Sequence, residues 1–262
     1  MAKKLLIAVF GLSIVYWLIF VSISGYSQHP LGIYTQLSLV LMPLIGGIVG
    51  LYHLNDWGGV KSILGRSVLS LSLGMIFWGI ALGMWTYFSA IQIVLPYPSV
   101  ADYVFVASAG FHIIGLTLLA KVIGVFYGLR ELWGKLLGVL TGFIVASLSY
   151  YILIVIGHNN IFSTSTSLNQ VFFDYAYNLA SLINISVLGL SVVFSRKYLG
   201  GKFRKPILLL FTGFFAHFWA VFAFVYTIGN GTYFNGNIAD VLFTIAVFLE
   251  SLGLISLQIE NK

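Results

Sequence analysis

The sequence contains no cysteine, so there is no disulfide, no thiolate metal ligand and no cysteine nucleophile, and the redox compartment is not written in it. Charge is scarce too. Only 8% of the 262 residues are Asp, Glu, Lys or Arg, against about 25% in an ordinary soluble domain. That shortage excludes a water-soluble globule and a solvated disordered chain. Signatures of catalysis are missing as well: no phosphate-binding glycine loop, no G-x-S-x-G, no H-E-x-x-H and no clustered acids for two-metal chemistry. No arginine ladder of the voltage-sensor kind is present. No lysine sits midway along the last two apolar segments, where a retinal Schiff base would need one. The sequence therefore gives no ground for calling the protein an enzyme. What is abundant is apolar: 60% hydrophobic residues, 16% aromatics and 28 glycines, with a mean hydropathy of +1.01. This is the composition of an integral membrane protein whose first partner is the lipid bilayer. The net charge of +6 does not indicate nucleic acid, because no soluble segment carries a basic patch.

A helix needs about 20 apolar residues to cross the hydrocarbon core. Eight segments meet that length, at 5–25, 36–54, 66–90, 103–127, 135–157, 171–195, 206–229 and 238–258. The first follows Lys3 and Lys4 but is too long for a signal-peptide apolar region, and no A-x-A site follows it. The expected fold is all-α and polytopic. When ends and loops are numbered alternately, all 13 Lys and Arg residues fall on one side, from Lys3 and Lys4 through Lys61, Arg66, Lys121, Arg130 and Lys135 to Lys262. The positive-inside rule makes that side cytoplasmic, with both termini inside a multi-pass protein of the cell membrane. Asn230-Gly231-Thr232 on the other side forms a glycosylation sequon.

The two halves are alike. FWGIALGMWT at 77–86 matches FWAVFAFVYT at 218–227, and ADYVFVASAGFHIIGL at 101–116 matches ADVLFTIAVFLESLGL at 239–254. Each unit, 1–130 and 131–262, contains four spans. An even number makes both units face the same way, so the sequence predicts two parallel four-helix repeats about an axis along the membrane normal. Asp102 and Asp240 stand at equivalent helix starts. An acid there accepts backbone N–H bonds and suits the positive end of the helix dipole. Contact with a ligand or cation is the alternative reading of the same two residues.

The string P-Y-P-S-V-A-D at 96–102, with a downstream Gly115-Leu116 and an upstream Phe77-Trp78, resembles the seven- or eight-helix membrane sensor region of bacterial and archaeal diguanylate cyclases, phosphodiesterases and histidine kinases. The family pattern, P-P-S-x-A-D-x-x-Y-L-x-x-Y-P followed by L-G-L, falls on residues 96–116 and in weaker form on 235–254. Ala109-Gly110, and Val247-Phe248 in the second copy, stand where Tyr-Pro is usual. The motif covers about a fifth of the chain. No output domain follows the last span, so the resemblance implies a sensory module that acts through a separate signalling protein.

Ionisable residues in the hydrocarbon usually face a bundle interior. His112 and Glu250 each lie ten residues past their aspartate, at a depth of about 15 Å at 1.5 Å per residue. His217 is also near the middle of its span. Asp174, Asn178, Ser181 and Asn184 form one polar stripe at i, i+4, i+7 and i+10. The segments bearing His112 and Glu250 are expected to meet near the axis or to line one cavity. Three readings stay open. The polar groups hydrogen-bond to one another and specify packing; or His112, Glu250, His217, Asn184, Asp174 and Asn178 line a ligand pocket or proton relay; or His112, His217 and Glu250 hold a metal or haem. Trp78, Trp85, Trp219 and Tyr226 form either packing aromatics or an aromatic wall for an apolar ligand. At the level of function, a sensory or ligand-binding module leads, followed by a small transporter or channel with a midplane His/Glu site, and then a structural subunit of a membrane complex. Whether the partner is a signalling protein, other membrane subunits or further copies of the chain is left open.

Overall fold

The computed structural model describes residues 1–93, 96–151, 167–194 and 203–257, the side chain of Asp174 excepted. Among them every regular element is helical. In chain order these are α1 (Ala2–Ser24), α2 (Gln36–Tyr52), α3 (Ile63–Ala90), α4 (Val100–Val122), the single turn α5 (Val125–Gly128), α6 (Leu132–Tyr150), α7 (Leu168–Phe194), α8 (Arg204–Gly229) and α9 (Ile238–Ser256). All but α5 are long and apolar enough to cross a membrane, α2 together with the 3-10 turn Pro30–Thr35 that leads into it, which gives eight candidate spans in a polytopic, all-α protein.

Six of the eight long helices begin two or three residues before the apolar run does, and polar caps start α3 and α9. The Ser62 hydroxyl accepts from the Gly65 N–H at 2.8 Å ahead of α3, and Asn237 Oδ1 accepts from the Ala239 N–H at 2.9 Å ahead of α9. The segment expected at 103–127 breaks early. Gly124 takes φ +84°, which ends α4 and leaves α5 as a separate turn. Most of the polar link 158–170 lies outside the described residues, as do Arg196, Lys197, Lys202 and Lys262.

Six helices form a closed ring in the order α2, α3, α4, α7, α8, α9 and back to α2. Helix α1 lies outside the ring against α2 and α9, and α6 lies outside it against α7. The most extensive pairings are α3 with α4 and α8 with α9. Glycines make both close. A Cβ on Gly115 would stand 2.7 Å from Leu71 Cγ, and one on Gly253 would stand 2.9 Å from Leu210 Cγ. Two serines bridge the first pair, Ser67 Oγ donating to the Gly115 carbonyl and Ser108 Oγ to the Gly74 carbonyl, each at 2.7 Å. Such small-residue contacts and interhelical hydrogen bonds are what hold helices together where lipid removes the hydrophobic drive.

The main apolar core fills the ring with Leu64, Val68, Leu71 and Met75 of α3, Leu116 and Leu119 of α4, Leu188 of α7, Ile207, Leu210 and Phe214 of α8, and Leu254 near the end of α9. A second cluster seats α1 by Leu6 and by Phe10, whose ring stacks on Phe248 at 4.1 Å. The alternating helices put Lys61, Arg66, Lys121, Arg130, Lys135 and Arg204 at one end, the basic end, and Asp102 and Asp240 at the other, the aspartate end. At the basic end, Trp57 Nε1 donates to the Leu257 carbonyl at 2.6 Å and ties the α2–α3 turn to the foot of α9. Trp57→Phe keeps the ring and removes that bond. It is expected to lower stability by about 1 kcal/mol, read as a lower melting temperature of the purified protein.

Candidate functional site

The interior polar group is built by the α8–α9 hairpin facing α3 and α4. His217 of α8 and Glu250 of α9 are hydrogen-bonded, Nδ1 to Oε1, at 3.0 Å. Both are buried, Glu250 to 1% exposure. His112 of α4, likewise buried, lies on the far side of Phe214, whose ring is edge-on to His112 at 5.2 Å and stacked with His217 at 6.2 Å. His112 and Glu250 line one cavity together with Leu71, Met75, Leu210, Phe214 and Leu254. It is too small to admit a water molecule. Helices α4 and α9 do not pack along one another; they share the cavity.

Glycines set the walls. A Cβ on Gly74 of α3 would stand 2.6 Å from His112 Nε2, and one on Gly213 of α8 would stand 2.8 Å from Glu250 Cγ. The contacts of α3 on α4 thus recur for α8 on α9: Gly74 against His112 and Leu71 against Gly115 in one hairpin, Gly213 against Glu250 and Leu210 against Gly253 in the other. This register is two residues out of step with the Phe77-Trp78 and Phe218-Trp219 identities. It makes Trp78, not Ile76, the counterpart of His217.

That shift decides the aromatics. Trp78 points inward, its ring 4.6 Å from His217, 4.8 Å from Phe105 and 5.6 Å from Phe243. Trp219 and Tyr226 point outward and are about half exposed, while Trp85 is partly buried. The four do not make one wall. On α7, Asn178, Ser181 and Asn184 are buried. Asn184 makes no hydrogen bond to His112, His217 or Glu250. The side chain of Asp174 lies outside the described residues. Several buried polar atoms stay unpartnered, among them His112 Nε2, Trp78 Nε1, and Ser181 Oγ and Asn184 Oδ1 of α7. Among the described residues no three His, Asp or Glu side chains come close enough to hold a metal ion, so His112, His217 and Glu250 do not form a ligand set here. Buried acid–imidazole geometry of this kind can hold, release or pass a proton.

At the aspartate end the two acids occupy the same helical position, the third residue of α4 and of α9. The Asp102 carboxylate accepts from the Ser99 N–H at 2.6 Å and the Ser99 hydroxyl at 2.7 Å, and Tyr177 of α7 donates to its other oxygen at 2.7 Å. Asp240 accepts from the Gly236 N–H and from Gln36 Nε2 of α2, both at 2.6 Å, and from the Tyr233 hydroxyl at 3.1 Å. Desolvation, reinforced by the adjacent Asp240 carboxylate, raises Tyr233 well above the ordinary tyrosine value and keeps it a donor. Each acid therefore caps its own helix and ties it to a helix from the other half. Gln36 and Tyr177, which complete these ties, were not singled out from the sequence. A polar residue opening an otherwise apolar span was the only signal for Gln36.

No protein-family model, no curated protein and no solved structure matches the chain.

Proposed function

We propose that the chain is a membrane-embedded sensory or ligand-binding module, built from two four-helix repeats facing the same way, that acts through a separate partner protein. The cell membrane is its location, with both termini on the cytoplasmic side, because the basic end is the side that the positive-inside rule assigns to the cytoplasm. The observation that carries the reading is the buried His217–Glu250 pair, with His112 against Phe214 and a space beside Glu250 too small for water. A conduit needs a wetted approach to its ion-binding groups. A packed interior holding titratable groups between two helix hairpins suits a two-state element, whose packing changes when a proton or ligand alters the charge there. The shared register of the two hairpins, and the paired ties of Asp102 and Asp240 across the halves, support the repeat.

Trp78 supplies the readout. Its ring lies 4.6 Å from His217, so its emission reports changes in the charge or packing of the pair. Acidifying the protein in nanodiscs should produce an emission change that disappears in Trp78→Phe and is altered in Glu250→Gln. Proteoliposomes should show no proton flux above empty vesicles. A second reading, a small transporter, is favoured by the unpartnered His112 Nε2 beside the pair. Proton flux abolished by Glu250→Gln would make that reading the correct one and defeat the first.

A further inference from the structure

The aspartate end contains a second polar site, separate from the central group and independent of the reading above. Helices α1, α2 and α9 frame a small cleft with room for about one water-sized occupant, lined by Ser13, Trp17, Thr35, Ser38, Asp240 and Thr244, among others. Asp240 is 4% exposed. Among the described residues no Lys, Arg or His is paired with it. An acid this deeply buried without a cation is costly to keep charged.

The donors around the cleft are already committed. Ser13 donates to the Val9 carbonyl at 2.6 Å, Thr35 to Gly32 at 2.6 Å, Ser38 to Thr35 at 3.0 Å and Thr244 to Asp240 at 2.8 Å. The Trp17 indole N–H is spent on the Gly236 carbonyl at 2.8 Å. With its hydrogen placed, each hydroxyl can only accept from anything entering the cleft. Asp240 itself has three donors, two on Oδ2 and one on Oδ1, whereas a carboxylate has about four acceptor sites. The cleft is thus a set of oxygen acceptors around one negative charge that has a site to spare.

We propose that this cleft binds a small monovalent cation against Asp240, with hydroxyl oxygens of Ser13, Thr35, Ser38 and Thr244 as its neutral ligands. Oxygen-only coordination suits a hard cation. A single carboxylate balances one positive charge, and divalent ions draw on several. The lid of the site is α1, which is held at this end by Trp17 on Gly236 and by Tyr16 on the Leu31 carbonyl at 2.8 Å. Occupancy therefore bears on how firmly α1 is seated against α2 and α9.

The test uses full-length protein in detergent with N-methylglucamine chloride as the background salt, replaced at constant ionic strength by sodium, potassium or methylammonium chloride. At least one small cation should raise the melting temperature saturably and change an emission component that is lost in Trp17→Phe. A response to sodium or potassium identifies an alkali site, and one to methylammonium alone identifies an ammonium site. Asp240→Asn should abolish the response. Because that substitution also alters the α9 cap, Ser13→Ala and Thr244→Val serve as variants that leave Asp240 and its three donors in place. Each should weaken the cation at least about fivefold, the loss expected for one hydrogen-bond-strength ligand. Identical melting in all four salts, or a response that survives in both Asp240→Asn and Ser13→Ala, overturns the proposal.

Discussion

His217→Leu is expected to destabilise the protein by about 3–5 kcal/mol, the range for removing one member of a buried pair. Glu250 is 1% exposed and has His217 as its hydrogen-bonding partner at 3.0 Å. Without the imidazole, the carboxyl group faces Phe214 and Leu254 across a cavity that does not admit water. Glu250→Gln keeps a group able to bond to Nδ1 and is expected to lose only about 1 kcal/mol. The double variant His217→Leu/Glu250→Leu should recover most of the loss, because an apolar pair of similar volume has nothing left unpaired. Unfolding in mixed micelles with rising SDS measures all three. If His217→Leu is as stable as the parent protein, the pair is not the fixed point of the interior that the geometry makes it.

The spans were legible because lipid imposes a length of apolar chain that nothing else in a sequence resembles. Their ends were less so. Hydropathy opens the third span at 66, yet the polar Ser62 caps it and starts it at Ile63. The matching level of His112 and Glu250 along their helices was also legible. Counting ten residues from Asp102 to His112 and from Asp240 to Glu250 works because both aspartates hold the third position of their helices. The sequence grouped His217 with Glu250 and His112 but did not single out the His217–Glu250 pairing. That required the α8–α9 hairpin to bring residues 33 apart together, and helix pairing in lipid is decided by small-residue fit rather than by any apolar stripe.

The aromatics are the clearest case of a likeness misaligning its own residues. Identity aligns Phe77-Trp78 with Phe218-Trp219, whereas packing aligns Gly74 with Gly213 and Leu71 with Leu210. A two-residue shift on a helix is about 200° of rotation at 3.6 residues per turn. That rotation turns Trp219 outward, to 44% exposure, while Trp78 sits against His217. Small residues fix the register of two packed helices, and large aromatic ones then go wherever that register leaves room.

Gly213→Ala should accordingly be among the most damaging single substitutions in the bundle, and Gly74→Ala should do less harm. A Cβ at 213 would stand 2.8 Å from the Glu250 backbone nitrogen and 3.2 Å from the Leu249 carbonyl carbon. Backbone cannot turn aside, so α8 must move off α9, with an overpacking cost of typically 1–3 kcal/mol plus strain on the His217–Glu250 bond. A Cβ at 74 would meet His112 at 2.5 Å from Cδ2 and 2.6 Å from Nε2. The third contact is Cγ at 3.0 Å, and all three are side-chain atoms, so His112 can swing aside about its own side-chain torsions without moving the α4 backbone. The two variants should therefore separate by readout. Gly213→Ala lowers the unfolding midpoint by the larger amount, while Gly74→Ala keeps more stability but changes the acid response of Trp78 emission by displacing His112. Equal losses of stability would mean that α3 is held as rigidly on the His112 ring as α8 is on the α9 backbone, and the center would then have no movable part on which a two-state response could turn.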